Sequence, residues 1–360
     1  MKHKIASEEV VNVLNNWYSA IMKGEIQAAL TLKEDSERML PDMEDNESVI
    51  LYCQLIQLKH RMLLQRMDEN IDLPEPVQEN SSIDGVLEYY YYFFKGIYEA
   101  HSSHNSNAID FFKAAESKLN CIDDELEIAE FHYRIGTTYY HMKSTILSEN
   151  HLNQALRIFC KHRDYSRRRL TCSIALALNY IDEMEFAKAE ALLTECAQMS
   201  QSLEDRYIFG LSVFNLGYMK IKENKLNDAV LYIEQALAID ELKENAPFAY
   251  LHCVYEAARS YFKLGQVKEA LERLQEGFLK STEADKKIFF LKFKTLHSLY
   301  VLEDNKKVTE CIQLLEKKKS FVDVEALALD IAHFYKHKKD FEKSVKYYEK
   351  SINATRSILK

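Results

Sequence analysis

The stretch 217-GYMKIKENKLNDAVLYIEQA-236 decides the fold. Gly217, Ala229, Ile233 and Ala236 match positions 8, 20, 24 and 27 of the tetratricopeptide repeat, which ask for a small residue, Ala, a large apolar residue and Ala. Small side chains at three of these positions let helix A approach helix B and the next repeat closely. The larger side chain fills the groove that remains. One helix pair cannot bury its face alone, so such pairs stack into a superhelix.

Working outward, Ala177, Ala189, Leu193 and Cys196 repeat the pattern before this stretch, and Ala258, Ala270, Leu274 and Gly277 repeat it after. Gly96, Ala108, Phe112 and Ala115 fit as well. Weaker copies are Gly136, Ser148, Leu152, Ala155 and Ala332, Ser344, Tyr348, Ser351. The position-20 residues Ala108, Ser148, Ala189, Ala229 and Ala270 stand 40, 41, 40 and 41 apart. The next, Ser344, follows 74 later and leaves room for one degenerate copy within 288–318, making about seven repeats. A period near 40 exceeds the usual 34 and predicts longer helices than average.

Composition agrees with an all-α protein. Among 360 residues there are only 8 Gly and 4 Pro, the residues that punctuate hairpins and βα loops. The 47% hydrophobic content is enough for a sizeable core. The net charge of −9, with no basic stripe, argues against direct nucleic-acid binding. No run of 18 apolar residues suggests a membrane span, and 1-MKHKIASEEVV-11 lacks the apolar core of a signal peptide. The seven cysteines contain no C-x-x-C and read as reduced thiols of a cytoplasmic protein.

No phosphate-cradling, dinucleotide, metalloprotease or nucleophile-elbow motif occurs, so no cofactor is expected. His333 with His337 and His101 with His104 stand at helical spacing, but each lacks a third ligand. They read as solvated or capping residues, and no metal is expected. The aromatic run 89-YYYYFF-94 reads as helix–helix core rather than a platform for bases, because no basic residues surround it.

The first 70 residues are organised differently. Ser7 reads as an N-cap, with Glu8 and Glu9 in the first turn. Val10, Leu14, Trp17 and Ile21 form an apolar helical stripe. A second helix covers 26–40 and closes near Pro41. A third starts near Glu47 and carries Ile50, Leu51, Leu55, Leu58 and Met62. Three amphipathic helices with short connections predict a bundle over 1–70. The polar, proline-containing run to Gly85 predicts a linker over 71–85, and the repeat domain then fills 86–360. Before the third helix, Asp42, Glu44 and Asp45 read as its capping carboxylates.

Several segments resemble one family. 14-LNNWY-18, 42-DMEDNESVILY-52, 87-LEYYYYFFKGIYE-99, 114-AAESKL-119 and 125-ELEIAEF-131 are similar to the Rap proteins of bacilli, which include response-regulator aspartate phosphatases and non-catalytic relatives. The resemblance runs from Leu14 to about Ile352. It implies an N-terminal bundle that grips a response regulator, by its receiver or its DNA-binding domain. It also implies a repeat superhelix that binds a short Phr signalling peptide and releases the regulator, as in quorum sensing, sporulation and competence.

The resemblance further implies roles for single residues. In 172-CSIALALNYID-182 and 214-FNLGY-218 it places peptide-anchoring side chains at Asp182 and Asn215. It places regulator docking at Asp45, Asn46, Glu47 and Ile50. The family's phosphatases carry Gln where this chain has Glu47. An amide both donates and accepts, so it can orient an attacking water without adding charge. An ionised Glu only accepts. Held about 4 Å from an anionic phosphoaspartate at an effective dielectric near 20, it is repelled by roughly 4 kcal/mol. Gln54, about 11 Å further along the helix, is too far away to substitute.

The reading that follows is a Rap-type regulator acting by sequestration. The alternatives are an active phosphatase of the sporulation phosphorelay that tolerates Glu47, and a generic tetratricopeptide adaptor.

Overall fold

The computed structural model describes residues 4–63, 85–102, 104–282 and 286–358. The chain divides into two compact units, Met1–Leu176 and Ala177–Lys360. Both are helical. Among the described residues the only β feature is an isolated parallel bridge between Ile5 and Met43, and no helix is long and apolar enough to cross a membrane.

The first unit holds α1 (Ser7–Lys23), α2 (Ile26–Met39), α3 (Glu47–Leu63), α4 (Gly85–His101), α5 (Asn105–Glu116), α6 (Glu125–His141), α7 (Thr145–Phe159) and the start of α8 (Ser166–Asp182). Val10, Leu14, Trp17 and Ile21 are buried as one stripe of α1. Trp17 is anchored where its Nε1 donates to His60 Nδ1 of α3 at 2.8 Å. Tyr89, Phe93 and Phe94 are fully buried, and Phe93 meets Phe112 and Phe131 at ring distances near 6 Å. The aromatic run is therefore core. All of 71–84 lies outside the described residues, as does the side chain of Met62, while Gly85 is the first residue of α4.

The second unit completes α8 and continues with α9 (Phe186–Ser202), α10 (Arg206–Lys222), α11 (Leu226–Leu237), α12 (Asp240–Asn245), α13 (Pro247–Leu264) and α14 (Val267–Lys280). It ends with α15 (Lys287–Leu296), α16 (Asn305–Lys317), α17 (Phe321–His337) and α18 (Phe341–Ile358). The repeat pattern is visible as packing. A Cβ added to Gly217 would stand 2.7 Å from Ile233, and one added to Gly96 would stand 2.7 Å from Phe112, so position 8 faces position 24 at backbone contact. The two weaker copies replace Ala with Ser at position 20, and both hydroxyls are satisfied across the pair. Ser148 Oγ donates to Gly136 O at 2.8 Å, and Ser344 Oγ to Ala332 O at 2.9 Å.

The degenerate copy is α15 with α16. Large buried residues, Leu296, Val308 and Leu315, stand where small ones were sought, and only Ile312 meets the pattern. α15 also runs into a π-helical turn at His297–Val301.

Four expectations need correction. The N-cap of α1 is Ala6, which makes no side-chain bond, and Ser7 is already helical. The cap of α3 comes from Asn46, whose Oδ1 accepts from Val49 N at 3.2 Å, and not from Asp42, Glu44 or Asp45. In the last copy the fully buried ring is Tyr347, with Tyr348 half-buried against His333. The long period is only partly longer helices. α4, α6, α8 and α10 have 17 residues each, and the remainder lies in 3-10 turns at Leu119–Cys121 and Arg163–Tyr165 and in α12.

Candidate functional site

The entrance of α3 is built from both sides. Ile5 N donates to Asp42 O at 2.8 Å and Glu44 N to Ile5 O at 3.0 Å, which pins the acidic stretch to the start of the chain. Met43 and Val49 turn inward and are buried. Their neighbours are left outside. Glu47 and Ser48 are exposed, Ile50 is 46% exposed, and the Asp45 carboxylate is almost wholly in solvent, 3.2 Å from Lys4 Nζ. Asn46 is engaged as the helix cap, so its amide oxygen serves the backbone. Helical spacing continues the exposed stripe from Glu47 through Ile50 to Gln54. Beside it opens a cleft of about 390 Å³ lined by Asn15, Asn46, Ser48, Tyr52, Val86 and Tyr90. Tyr52 Oη donates to Asn15 Oδ1 at 2.9 Å across the α1–α3 contact. An acidic rim, one exposed isoleucine and an apolar cleft suit a protein partner. No group of three His, Cys, Asp or Glu that could hold a metal occurs among the described residues.

Asp182 and Asn215 lie on successive A helices of the second unit. Asp182 ends α8 and is half-buried. Asn215 is 7% exposed and its Nδ2 donates to Leu211 O, one turn back on α10, at 2.8 Å. One amide N–H is thus spent on its own helix, and the other N–H and the oxygen complete its hydrogen-bonding inventory. Tyr218, one turn on from Asn215, feels the charge of Asp182. Burial, with the charges of Glu256 and Asp182, raises its phenol well above the usual range, so it stays an O–H donor.

The same A-helix face carries a charge network that sequence reasoning missed. Arg259 of α13 donates Nη1 to Glu256 Oε2 and Nη2 to Asp330 Oδ1 of α17, both at 2.8 Å. Lys263 Nζ reaches Asp330 Oδ1 at 2.6 Å. Lys292 of α15 pairs with Asp323 at 2.7 Å. Burial opposes the charge on Glu256 and Asp330, yet Arg259 holds both carboxyls below their usual range. His252 is pushed down to about 4 by burial and Lys292. The i, i+3 and i, i+4 spacings of Glu256, Arg259 and Lys263 were readable. Asp330, 71 residues from Arg259, left no local signal.

A family model described as response regulator aspartate phosphatase H, N terminal, matches residues 4–65, and a tetratricopeptide-repeat model matches residues 327–357. Regulatory protein RapD of Bacillus subtilis (strain 168) is 36% identical over 96% of this chain and 98% of its own. Response regulator aspartate phosphatase E of the same organism is 32% identical over 99% of this chain and 97% of its own. Among solved structures, a Rap protein complexed with competence and sporulation factor superposes with a TM-score of 0.87 at 32% identity, covering 98% of this chain and 99% of that one.

Proposed function

The chain belongs to the Rap family, and we propose that it binds a bacterial response regulator through the bundle of residues 1–70 and is switched off by a short Phr-like peptide at the repeats of 86–360. We further propose that it sequesters the regulator rather than dephosphorylating it. The observation that carries this reading is Glu47. It opens α3, is exposed, and stands where the phosphatases that the chain resembles have Gln. A carboxylate there cannot donate to an attacking water and adds charge beside a phosphoryl group. A relative named a regulatory protein rather than a phosphatase, RapD, supports the same reading.

A phosphotransfer assay on purified phosphorelay receivers tests it. The wild-type chain is expected to form a complex with its regulator without speeding loss of the acyl phosphate. Glu47→Gln is expected to accelerate that loss, by at least tenfold, on any receiver the bundle docks. Rapid dephosphorylation by the wild type, reduced by Glu47→Ala, would establish the phosphatase alternative instead. That second reading draws on the name of aspartate phosphatase E, which is 32% identical.

A further inference from the structure

A second cavity, of about 360 Å³, lies inside the first unit. Ile97 and Ala100 of α4 and Phe112 of α5 form an apolar wall. Lys59 of α3, Arg134 of α6 and Arg168 of α8 bring three cations to it, and no carboxylate lines it. The three cations converge on one acid outside the lining, Glu130, which is fully buried. Lys59 Nζ is 3.2 Å from its Oε1, Arg134 Nε is 2.8 Å from the same oxygen, and Arg168 Nε is 2.9 Å from Oε2. Arg168 Nη2 adds a fourth contact at 3.2 Å.

A carboxylate offers about four lone-pair sites; here Lys59, Arg134 and Arg168 Nη2 all crowd onto Oε1, while Oε2 meets Arg168 Nε at 2.9 Å without hydrogen-bond geometry. Each guanidinium carries five N–H donors and the ammonium three. The donors around this cavity therefore outnumber the acceptors that Glu130 supplies. The other nearby acid is Glu127, bonded by Tyr89 Oη at 3.0 Å. Burial raises its carboxyl, which weakens it as a counterion, and also lowers the Lys59 ammonium to about 8, still above neutral pH. His101 and His141 also line the cavity, and burial lowers both, so they supply neutral rings. The side chains of Lys59, Arg168 and Arg134 are 3%, 16% and 30% exposed, which withdraws most of this positive charge from bulk water. Buried charge without a counterion is costly, and an oxyanion of matching size removes the cost.

We propose that this cavity binds a small oxyanion, a phosphate or carboxylate, with its charge on Lys59, Arg134 and Arg168 and any apolar body against Ile97, Ala100 and Phe112. Bidentate guanidinium geometry suits both headgroups. Because the cations come from α3, α6 and α8, an occupant ties the docking helix to two repeat helices. It stabilises that arrangement by mass action.

Calorimetric titration of the full chain with inorganic phosphate, and separately with acetate, at constant ionic strength set with chloride, tests the proposal. A saturable heat with one site per chain is expected for at least one of the two, together with a rise in Tm. Phosphate alone binding identifies a phosphoryl ligand, and acetate binding as well identifies the site as a general oxyanion site. Arg168→Gln is expected to weaken binding at least tenfold. Ala100→Phe, which fills the cavity and leaves every charge in place, is expected to abolish it. No saturable binding of either anion by the wild type overturns the proposal. Unchanged affinity in Ala100→Phe overturns it as well, because the anion then sits on the outer surface.

Discussion

Glu47 and its neighbour Asn46 divide one stretch of sequence into two kinds of work. Asn46 spends its side chain on the first turn of α3, while Glu47 spends nothing on the fold and is presented to solvent. Substitution at 47 should therefore change what the docking face does and leave stability almost untouched, within about 0.5 kcal/mol. Asn46→Ala should cost about 1 kcal/mol through the lost cap, read as a lower denaturation midpoint. Glu127 behaves in the opposite way, because its environment acts on its charge. Unfolded, it loses its proton near 4.5, whereas burial lets the folded chain keep it up to about 7. Between those values the folded state binds more protons than the unfolded one, so this residue makes stability fall as pH rises through the window. Glu127→Gln fixes the neutral form. Its Tm should vary less with pH from 4.5 to 7 than that of the wild type, and parallel profiles would refute the assignment. The setting of Glu127 was not legible beforehand. In 125-ELEIAEF-131 nothing local sets Glu127 and Glu130 apart from the solvated Glu125, and only the packing of Tyr89 on the one and of Lys59, Arg134 and Arg168 on the other marks them as buried.

Turns show how the elements tolerate imperfect residues. Lys143, Met184, Asn224, Gly265, Glu303 and Lys339 all adopt positive φ between helix A and helix B of successive repeats, and glycine takes the place only once. Gly265 has φ +74° and nothing within 4 Å of an added Cβ, so Gly265→Ala isolates the backbone cost. About 1 kcal/mol of destabilisation is expected. Gly217→Ala meets Ile233 at 2.7 Å and Ala229 O at 3.1 Å and should cost more, through overpacking of the A–B contact. Calorimetry on both variants orders them, and equal shifts would show that close approach at position 8 carries no energy. The regular repeats were legible because their small residues recur every 40 or 41 positions. The α15–α16 pair was hidden because Leu296, Val308 and Leu315 achieve with bulk the contact that small residues make elsewhere. The displaced ring in the last repeat, Tyr347 for Tyr348, is one step around the helix and is chosen by its neighbours. Its hydroxyl donates to Asn305 Oδ1 at 2.9 Å, and its ring stacks on Tyr335.

For the whole molecule, the proposed function assigns recognition of the peptide to the A-helix face that carries Asp182 and Asn215. The double variant Asp182→Ala, Asn215→Ala is expected to weaken a cognate inhibitory peptide by at least tenfold while leaving regulator binding unchanged, measured by titration of each partner separately. Normal peptide affinity in the double variant would move the site elsewhere on that face, with the Glu256–Arg259–Asp330 network the next region to test. The sequence by itself determined the helical class, the repeat period, the three-helix start and the family resemblance. The helical class and the three-helix start rest on local periodicity, the repeat period on small residues recurring every 40 or 41 positions, and the resemblance on particular segments such as 42-DMEDNESVILY-52. Only the tertiary structure decided which charged residues are buried and with whom. Arg259 meets Asp330 across 71 residues, and Lys59 meets Glu130 across the same separation. Such pairs form because burial makes each charge demand a partner, and the chain meets that demand through space rather than along its length.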